Sequence, residues 1–398
     1  MRGLKTPLLH CALIVALNLL ELSAKDLIFP RISIGPSGFT SMALSNTGPE
    51  AAQLTLTLFS SNGQPAVASG PNPRVLSLPS GRQSAFLITE LFSVSAGDYW
   101  LRVQSDKDFV SGFVLFGDNA ATVMDGFGAP ESSKDQVLPL IQVDSGFQTT
   151  AWLLNPSLNS NAVVRIDSVT SIGQALTSQN VMLSPGQQSV IDAATVQGAA
   201  ATSYWRIVSD TPILSIETVL NQQDPTLVAL PGLSQQNRLA TAFVPDFVVA
   251  DGFISEINLI NQTDQPVVAT ITAFRPDGAL YFVPQVNANP VTRALPPRAS
   301  MKGSVGSLFG FSAASRQEGW LRIETNSPAL SSFMVYGTSF ARNANGCGQP
   351  ASPFYQRCLF SAGRQSESRP TAAEVDCRQR GAFSSGQHGR ILYPLIRS

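Results

Sequence analysis

One constellation in the chain pairs an aromatic ring with a cation three times: Trp100 with Arg102, Tyr204 with Arg206, and Trp320 with Arg322. On a strand, residues i and i+2 share a face, so each pair stands side by side. Leu101, Trp205 and Leu321 then point the other way, together with Val103, Ile207 and Ile323. Such an aromatic–cationic stripe suits the binding of glycans or of an acidic partner. Its architectural use is different: each arginine lies over its aromatic neighbour and covers the sheet by stem packing and a cation–π contact of about 0.5–1 kcal/mol. Repetition in every copy favours architecture, because maintaining one fold demands it everywhere.

Other chemistries are poorly served. Residues 25–340 contain neither His nor Cys, which excludes Ser-His-Asp and Cys-His catalysis and imidazole or thiolate metal sites there. No phosphate-binding G-x-x-x-x-G-K-[ST] loop or G-x-G-x-x-G turn is present. A carboxylate pair that hydrolyses glycosides is the remaining enzymatic option, with Asp98, Glu217, Glu256, Glu318 and Glu324 as the available acids. None recurs between copies in a way that marks a pair, and no cofactor is implied. Ser111, Ser215 and Ser331 lack a base and read as strand hydroxyls. Asp144, Asp251 and Asp277 sit at glycine turns with no Asp-x-Asp run, so turn formation is preferred to calcium binding. Asn261-Gln262-Thr263 is an N-glycosylation sequon that matters only in a eukaryotic host.

The elements that hold these residues repeat. Phe29-Pro30, Leu138-Pro139 and Val244-Pro245 each precede a turn ending Gly-Phe, at Gly38, Gly146 and Gly252; the glycines are 108 and 106 residues apart. Asn46, Asn155 and Asn261 each close a short apolar run, and Gly63, Gly173 and Gly278 mark the next turn. Leu78-Pro79, Leu183-Ser184-Pro185 and Leu295-Pro296 follow. Arg102, Arg206 and Arg322 then align, and nine residues beyond each stands Ser111, Ser215 or Ser331.

Each unit reads as strands. Leu54-Thr55-Leu56-Thr57-Leu58 alternates apolar and polar residues, and Val163 to Val169 and Val267 to Phe274 are rich in β-branched residues. Asn62-Gly63 and Asp277-Gly278 favour tight hairpins. An apolar-Pro start suits an edge strand, where a missing N–H does no harm. The sequence therefore predicts an all-β chain of three tandem β-sandwich repeats of about 107 residues each, at 25–134, 135–240 and 241–340.

The ends differ from the body. Met1 to Ala24 has a basic start at Arg2 and Lys5, an apolar stretch from Pro7 to Leu20 and a small-residue cleavage site at Ser23-Ala24. That is the pattern of a secretory signal peptide, too short for a membrane anchor, and no later segment is long and apolar enough to span a bilayer. Residues 341–398 hold eight Arg, three acids and no Lys, together with Cys347, Cys358, Cys377 and His388. Their scarcity of branched apolar residues predicts a low-order basic tail. A reading-frame slip replacing a fourth repeat and a functional cysteine-containing module remain alternatives. No CxxC pair suggests zinc. Charged residues make up 13% of the chain and the net charge is -1, against both general disorder and nucleic-acid binding.

Arg102-Val-x-Ser-Asp106 and Arg206-Ile-Val-Ser-Asp-Thr-Pro212, each followed by an apolar strand, resemble tandem immunoglobulin-like β-sandwich repeats of secreted bacterial proteins. The resemblance spans residues 27–340 and implies an extracellular modular architecture without naming a ligand; no unit carries the paired cysteines of a true immunoglobulin domain. The expectation is a secreted or cell-surface, non-enzymatic structural or adhesive repeat protein. Carbohydrate binding by the aromatic–Arg stripe is the alternative, and a carboxylate-based glycan hydrolase the third reading. The partner, a cell-surface glycan or protein, is not specified by the sequence.

Overall fold

The structure, a computed structural model, describes residues 25–338 and 357–359, apart from 145, 224–225, 239 and 283–288. The expected signal peptide at 1–24 lies outside the described residues, as does the tail with its cysteines, save for the short strand through Cys358. The described chain is all-β, built of antiparallel sheets.

The first unit comprises β1 (Lys25–Ile34), β2 (Gly38–Asn46), β3 (Ala52–Ser60), β4 (Arg74–Leu78), β5 (Gln83–Leu87), β6 (Gly97–Ser105), β7 (Val110–Asp118) and β8 (Met124–Gly128). They form two four-stranded sheets, ordered β1-β6-β3-β4 and β5-β2-β7-β8. The third region repeats that order with β17 (Thr241–Val249), β18 (Phe253–Asn261), β19 (Val267–Phe274), β20 (Val291–Leu295), β21 (Ser300–Ser304), β22 (Gln317–Thr325), β23 (Leu330–Thr338) and β24 (Arg357–Leu359). Its sheets run β17-β22-β19-β20 and β21-β18-β23-β24.

Between them lie β9 (Ser133–Leu138), β10 (Phe147–Leu154), β11 (Ala162–Val169), β12 (Ala175–Leu183), β13 (Gln188–Asp192), β14 (Tyr204–Asn221), β15 (Thr226–Pro231) and β16 (Leu233–Ser234). Here the two sheets are joined. The 18-residue β14 pairs with β9 and β11 through its first half, then with β10 and β15 through its second. In the first and third units the same path breaks between two separate strands, β6 and β7 or β22 and β23. Among the described residues, helix is confined to single turns, α1 (Ile88–Leu91), α2 (Val305–Phe309) and short 3-10 segments.

Local sequence explains these elements. Leu54, Leu56 and Leu58 are buried while Thr55 and Thr57 are partly exposed, the alternation of a half-buried strand. Pro30 and Pro245 lie where the registers of edge strands β1 and β17 shift, so neither removes a ladder hydrogen bond. The recurring asparagines are loop clamps. Asn46 Nδ2 donates to Glu50 O at 2.7 Å and Leu78 O at 2.9 Å, and its Oδ1 accepts from Gly48 N. Asn155 Nδ2 binds the carbonyls of Ser160, Leu183 and Ser184, and Asn261 Nδ2 those of Gln265, Leu295 and Pro296.

Leu101 and Val103 pack in the first core with Phe29, Leu54 and Leu56. Trp205 and Ile207 do so in the second core, and Leu321 and Ile323 in the third. Ile216 and Ala229 of the middle region also belong to the first core, so apolar packing continues from one region into the next. All described residues fall in one compact unit, Met1–Ser361.

Candidate interaction surfaces at the joints

On the outer face of each first sheet, three neighbouring strands contribute one residue each. The strand registers set Phe59, Val169 and Phe274 directly opposite Trp100, Tyr204 and Trp320, while Ile28, Val137 and Phe243 stand opposite Arg102, Arg206 and Arg322, one diagonal step from the aromatic residue. These triplets contain every aromatic residue of the predicted stripe.

The first triplet is covered. Phe59 and Trp100 stack with centroids 4.0 Å apart and planes 6° from parallel, and they cluster with Leu154 and Leu214 of the next region. Trp100 is fully buried. Its Nε1 donates to Gly186 O at 2.9 Å, in the turn between β12 and β13. Beside it, Gln188 N donates to Ser61 O at 2.8 Å. Gly63 is held against the same turn: its φ is +86°, and a Cβ there would meet Pro185 O at 2.3 Å. The left-handed backbone and the close approach both require glycine.

The second triplet is covered in the same way. Tyr204 clusters with Val137, Val169 and Ile260, and its hydroxyl donates to Arg298 O at 2.8 Å. Ser300 N donates to Ser171 O at 2.9 Å. Gly173, with φ +87°, lies against Pro297, whose O would be 2.1 Å from a Cβ at that position. Gly186 and Arg298 hold equivalent places in their turns and share the left-handed conformation, at φ 68° and 59°. Burial pushes the Tyr204 phenol up to about 12, against the opposing pull of Arg298 and Arg206.

Among the described residues, the third triplet has the stack without the cover. Phe274 and Trp320 lie 4.0 Å apart at 8°, with Phe243 tilted against Trp320 at 6.2 Å. Phe243 is 53% exposed, Trp320 is half-buried, and a Cβ on Gly278 would meet nothing within 4 Å.

The arginines do not lie over the aromatic residues two positions before them, as the sequence suggests. Arg102 pairs with Asp26, and Arg206 pairs with Asp135 at 2.7 Å. Both acids lie on the neighbouring strand, Asp26 on β1 and Asp135 on β9, where a carboxylate offers a better partner than a ring already engaged in the joint. Thr241 stands at that position in β17, and Arg322 pairs instead with Glu324 at 3.0 Å, while its guanidinium approaches the ring of Phe274 at 5.4 Å. Trp100, Tyr204 and Trp320 therefore face joints or an end, Arg102 and Arg206 tie their strands to β1 and β9, and Arg322 pairs within its own strand.

The three serines, Asp277 and the five candidate acids have partners close by. Ser111 bonds Ser45 at 2.7 Å and Ser215 donates to Gln136 at 2.7 Å, while Ser331 Oγ accepts from Gln262. Asp277 Oδ1 accepts from Ala279 N at 3.0 Å, as a turn residue does. Asp98 accepts from Ser33, Glu217 from Leu140 N, and Glu256, Glu318 and Glu324 pair with Lys302, Arg316 and Arg322. The sequon residue Asn261 is fully buried with its Nδ2 bound to backbone carbonyls, so the folded chain does not offer it as a glycan acceptor.

Sequence reasoning missed Arg31. Its guanidinium is sandwiched between the rings of Phe116 at 3.6 Å and Trp152 at 4.8 Å, bridging the first and middle regions beside a cleft of about 660 Å³. Burial lowers its pKa to about 10, with Asp98 pulling the other way, so it is charged at neutral pH. The following regions carry Leu140 and Asp246 after their prolines, so no repeated signal marks the position. Among the described residues no cluster of three His, Cys, Asp or Glu is arranged to hold a metal, and no helix is long and apolar enough to cross a membrane. Comparisons with protein-family models, curated proteins and solved structures find no match to this chain.

Proposed function

We propose that this chain is an exported, non-enzymatic structural or adhesive protein whose tandem β-sandwiches act as one semi-rigid array. The observation that carries the reading is the use made of Trp100. A side chain suited to stacking on a sugar is fully buried and hydrogen-bonded to Gly186 O across a joint, and Tyr204 is used alike. Residues spent on holding units in line support an architectural role. The resemblance to tandem immunoglobulin-like repeats of secreted bacterial proteins and the signal-like start at Met1 to Ala24 add the expectation of export.

The test is twofold. Fractionation of cells producing the chain, with the processed N-terminus identified by mass, should find it outside the cytoplasm. Glycan arrays and a polysaccharide-hydrolysis panel should give neither binding that Trp320→Ala removes nor sugar release. Retention inside the cell, binding lost with Trp320, or released sugar would each overturn this reading.

A further inference from the structure

The two joints define a repeated coupling, and the described residues leave one half of that coupling at each end. On the donor side are an apolar triplet, a hairpin glycine and a carbonyl two residues before that glycine. The receiving side supplies a left-handed turn residue whose carbonyl accepts from the aromatic residue, a strand N–H two residues later, and an apolar side chain from the adjacent strand. Leu154 and Ile260 supply the last part.

The third region ends in an open donor. Its Phe274–Trp320 stack reproduces the Phe59–Trp100 stack to within a few degrees, and Phe243 replaces Ile28 with a larger and more exposed ring. Gly278, equivalent to the two pressed glycines, has open space around it. The first region begins with an open receiver. Gly81 is left-handed at φ 65°, stands where Gly186 and Arg298 stand, and a Cβ there would meet nothing within 4 Å. Gln83 occupies the place of Gln188 and Ser300, whose N–H groups cross the two joints.

We propose that the donor end at Phe243, Phe274 and Trp320 docks onto the turn Pro79–Arg82 of a second copy of this chain, giving head-to-tail assembly. The open ends carry corresponding parts of an interface that the chain itself forms twice. One part is weakened: Ser45 replaces Leu154 and Ile260 on the receiving strand and bonds Ser111. A polar outer face is how repeat arrays limit growth at an end, so the association is reversible and weaker than the internal joints. The inference rests on joint geometry alone and stands or falls independently of export or adhesion.

Sedimentation velocity of the purified full chain over a wide concentration range tests it. The expected result is a shift from monomer to dimer and longer species as concentration rises. Trp320→Ala, or the rim substitution Phe243→Ser if the first perturbs folding, should abolish the shift. Ser80→Trp should also abolish it by obstructing the receiving turn. An equimolar mixture of the Trp320→Ala and Ser80→Trp chains should form dimers only, because one intact donor then meets one intact receiver. Ser45→Leu should tighten association on the order of tenfold. A wild-type chain that stays monomeric throughout, association by Ser80→Trp alone, or a mixture with no dimer would overturn the proposal.

Discussion

The hydroxyl of Tyr204 donates to the backbone carbonyl of Arg298, 2.8 Å away in space and 94 residues along the chain. Burial raises the phenol to about 12. A raised pKa means that the folded state holds its proton where the unfolded state has lost it. This contribution to stability is complete below the ordinary tyrosine pKa near 10 and disappears as pH climbs toward 12. Ultraviolet titration of the folded chain should show a tyrosine that ionises last, and Tyr204→Phe should remove that step. The same substitution should destabilise the chain by about 1 kcal/mol at neutral pH.

Three hairpin glycines separate backbone strain from joint contact. Gly63, Gly173 and Gly278 have φ of +86°, +87° and +83°, so alanine meets a similar left-handed penalty at each, about 1 kcal/mol. Only the first two face a neighbouring turn. Urea denaturation should show that Gly63→Ala and Gly173→Ala cost at least about 1 kcal/mol more than Gly278→Ala. Equal costs at all three would mean that the turns are not pressed together.

Trp100→Ala removes a fully buried indole from its stack on Phe59 and its bond to Gly186. The expected loss is about 3–5 kcal/mol, measured by denaturant unfolding. Trp320→Ala, on a half-buried ring at the open end, should cost clearly less. A reversed order would contradict the contrast between covered and uncovered triplets.

Asp246 follows Pro245, where Arg31 follows Pro30, yet it is acidic and partly buried. Burial pushes its carboxyl above the ordinary carboxylate range, with Glu318 adding to the shift. The folded state therefore retains this proton longer than the unfolded chain, and the contribution of Asp246 falls as pH rises above the ordinary range. Asp246→Asn should flatten that decline and leave the chain at least as stable as the parent at neutral pH. Thermal melts between acid and neutral pH read both effects.

The elements and their faces were legible in the sequence because they obey local rules. Alternation located β3, the shared spacing of Arg102, Arg206 and Arg322 located β6, β22 and the start of β14, and Leu101 and Val103 face the core as period two requires. The joints were not legible. The acceptor for Trp100 is a carbonyl 86 residues away, and Asp135 lies 71 residues before Arg206; neither separation leaves a mark in either local pattern. Ordinary polar residues also carried more than their types suggest. Asn72 clamps Leu58 and Ala66 as Asn289 clamps Ala273 and Tyr281. Thr40, Thr149 and Ser255 each tie β2, β10 or β18 back to the preceding segment. Serine and threonine are common on strands everywhere, so these positions do not stand out until the partners are seen.

The uninterrupted course of β14 through both middle sheets gives the array a mechanical asymmetry. In the outer regions, a lateral force between opposing sheets can be taken up by the short connection from β6 to β7 or from β22 to β23. In the middle, the same force is carried by a strand hydrogen-bonded along both halves. Bending should therefore concentrate toward the extremities while the centre behaves as a stiff splint.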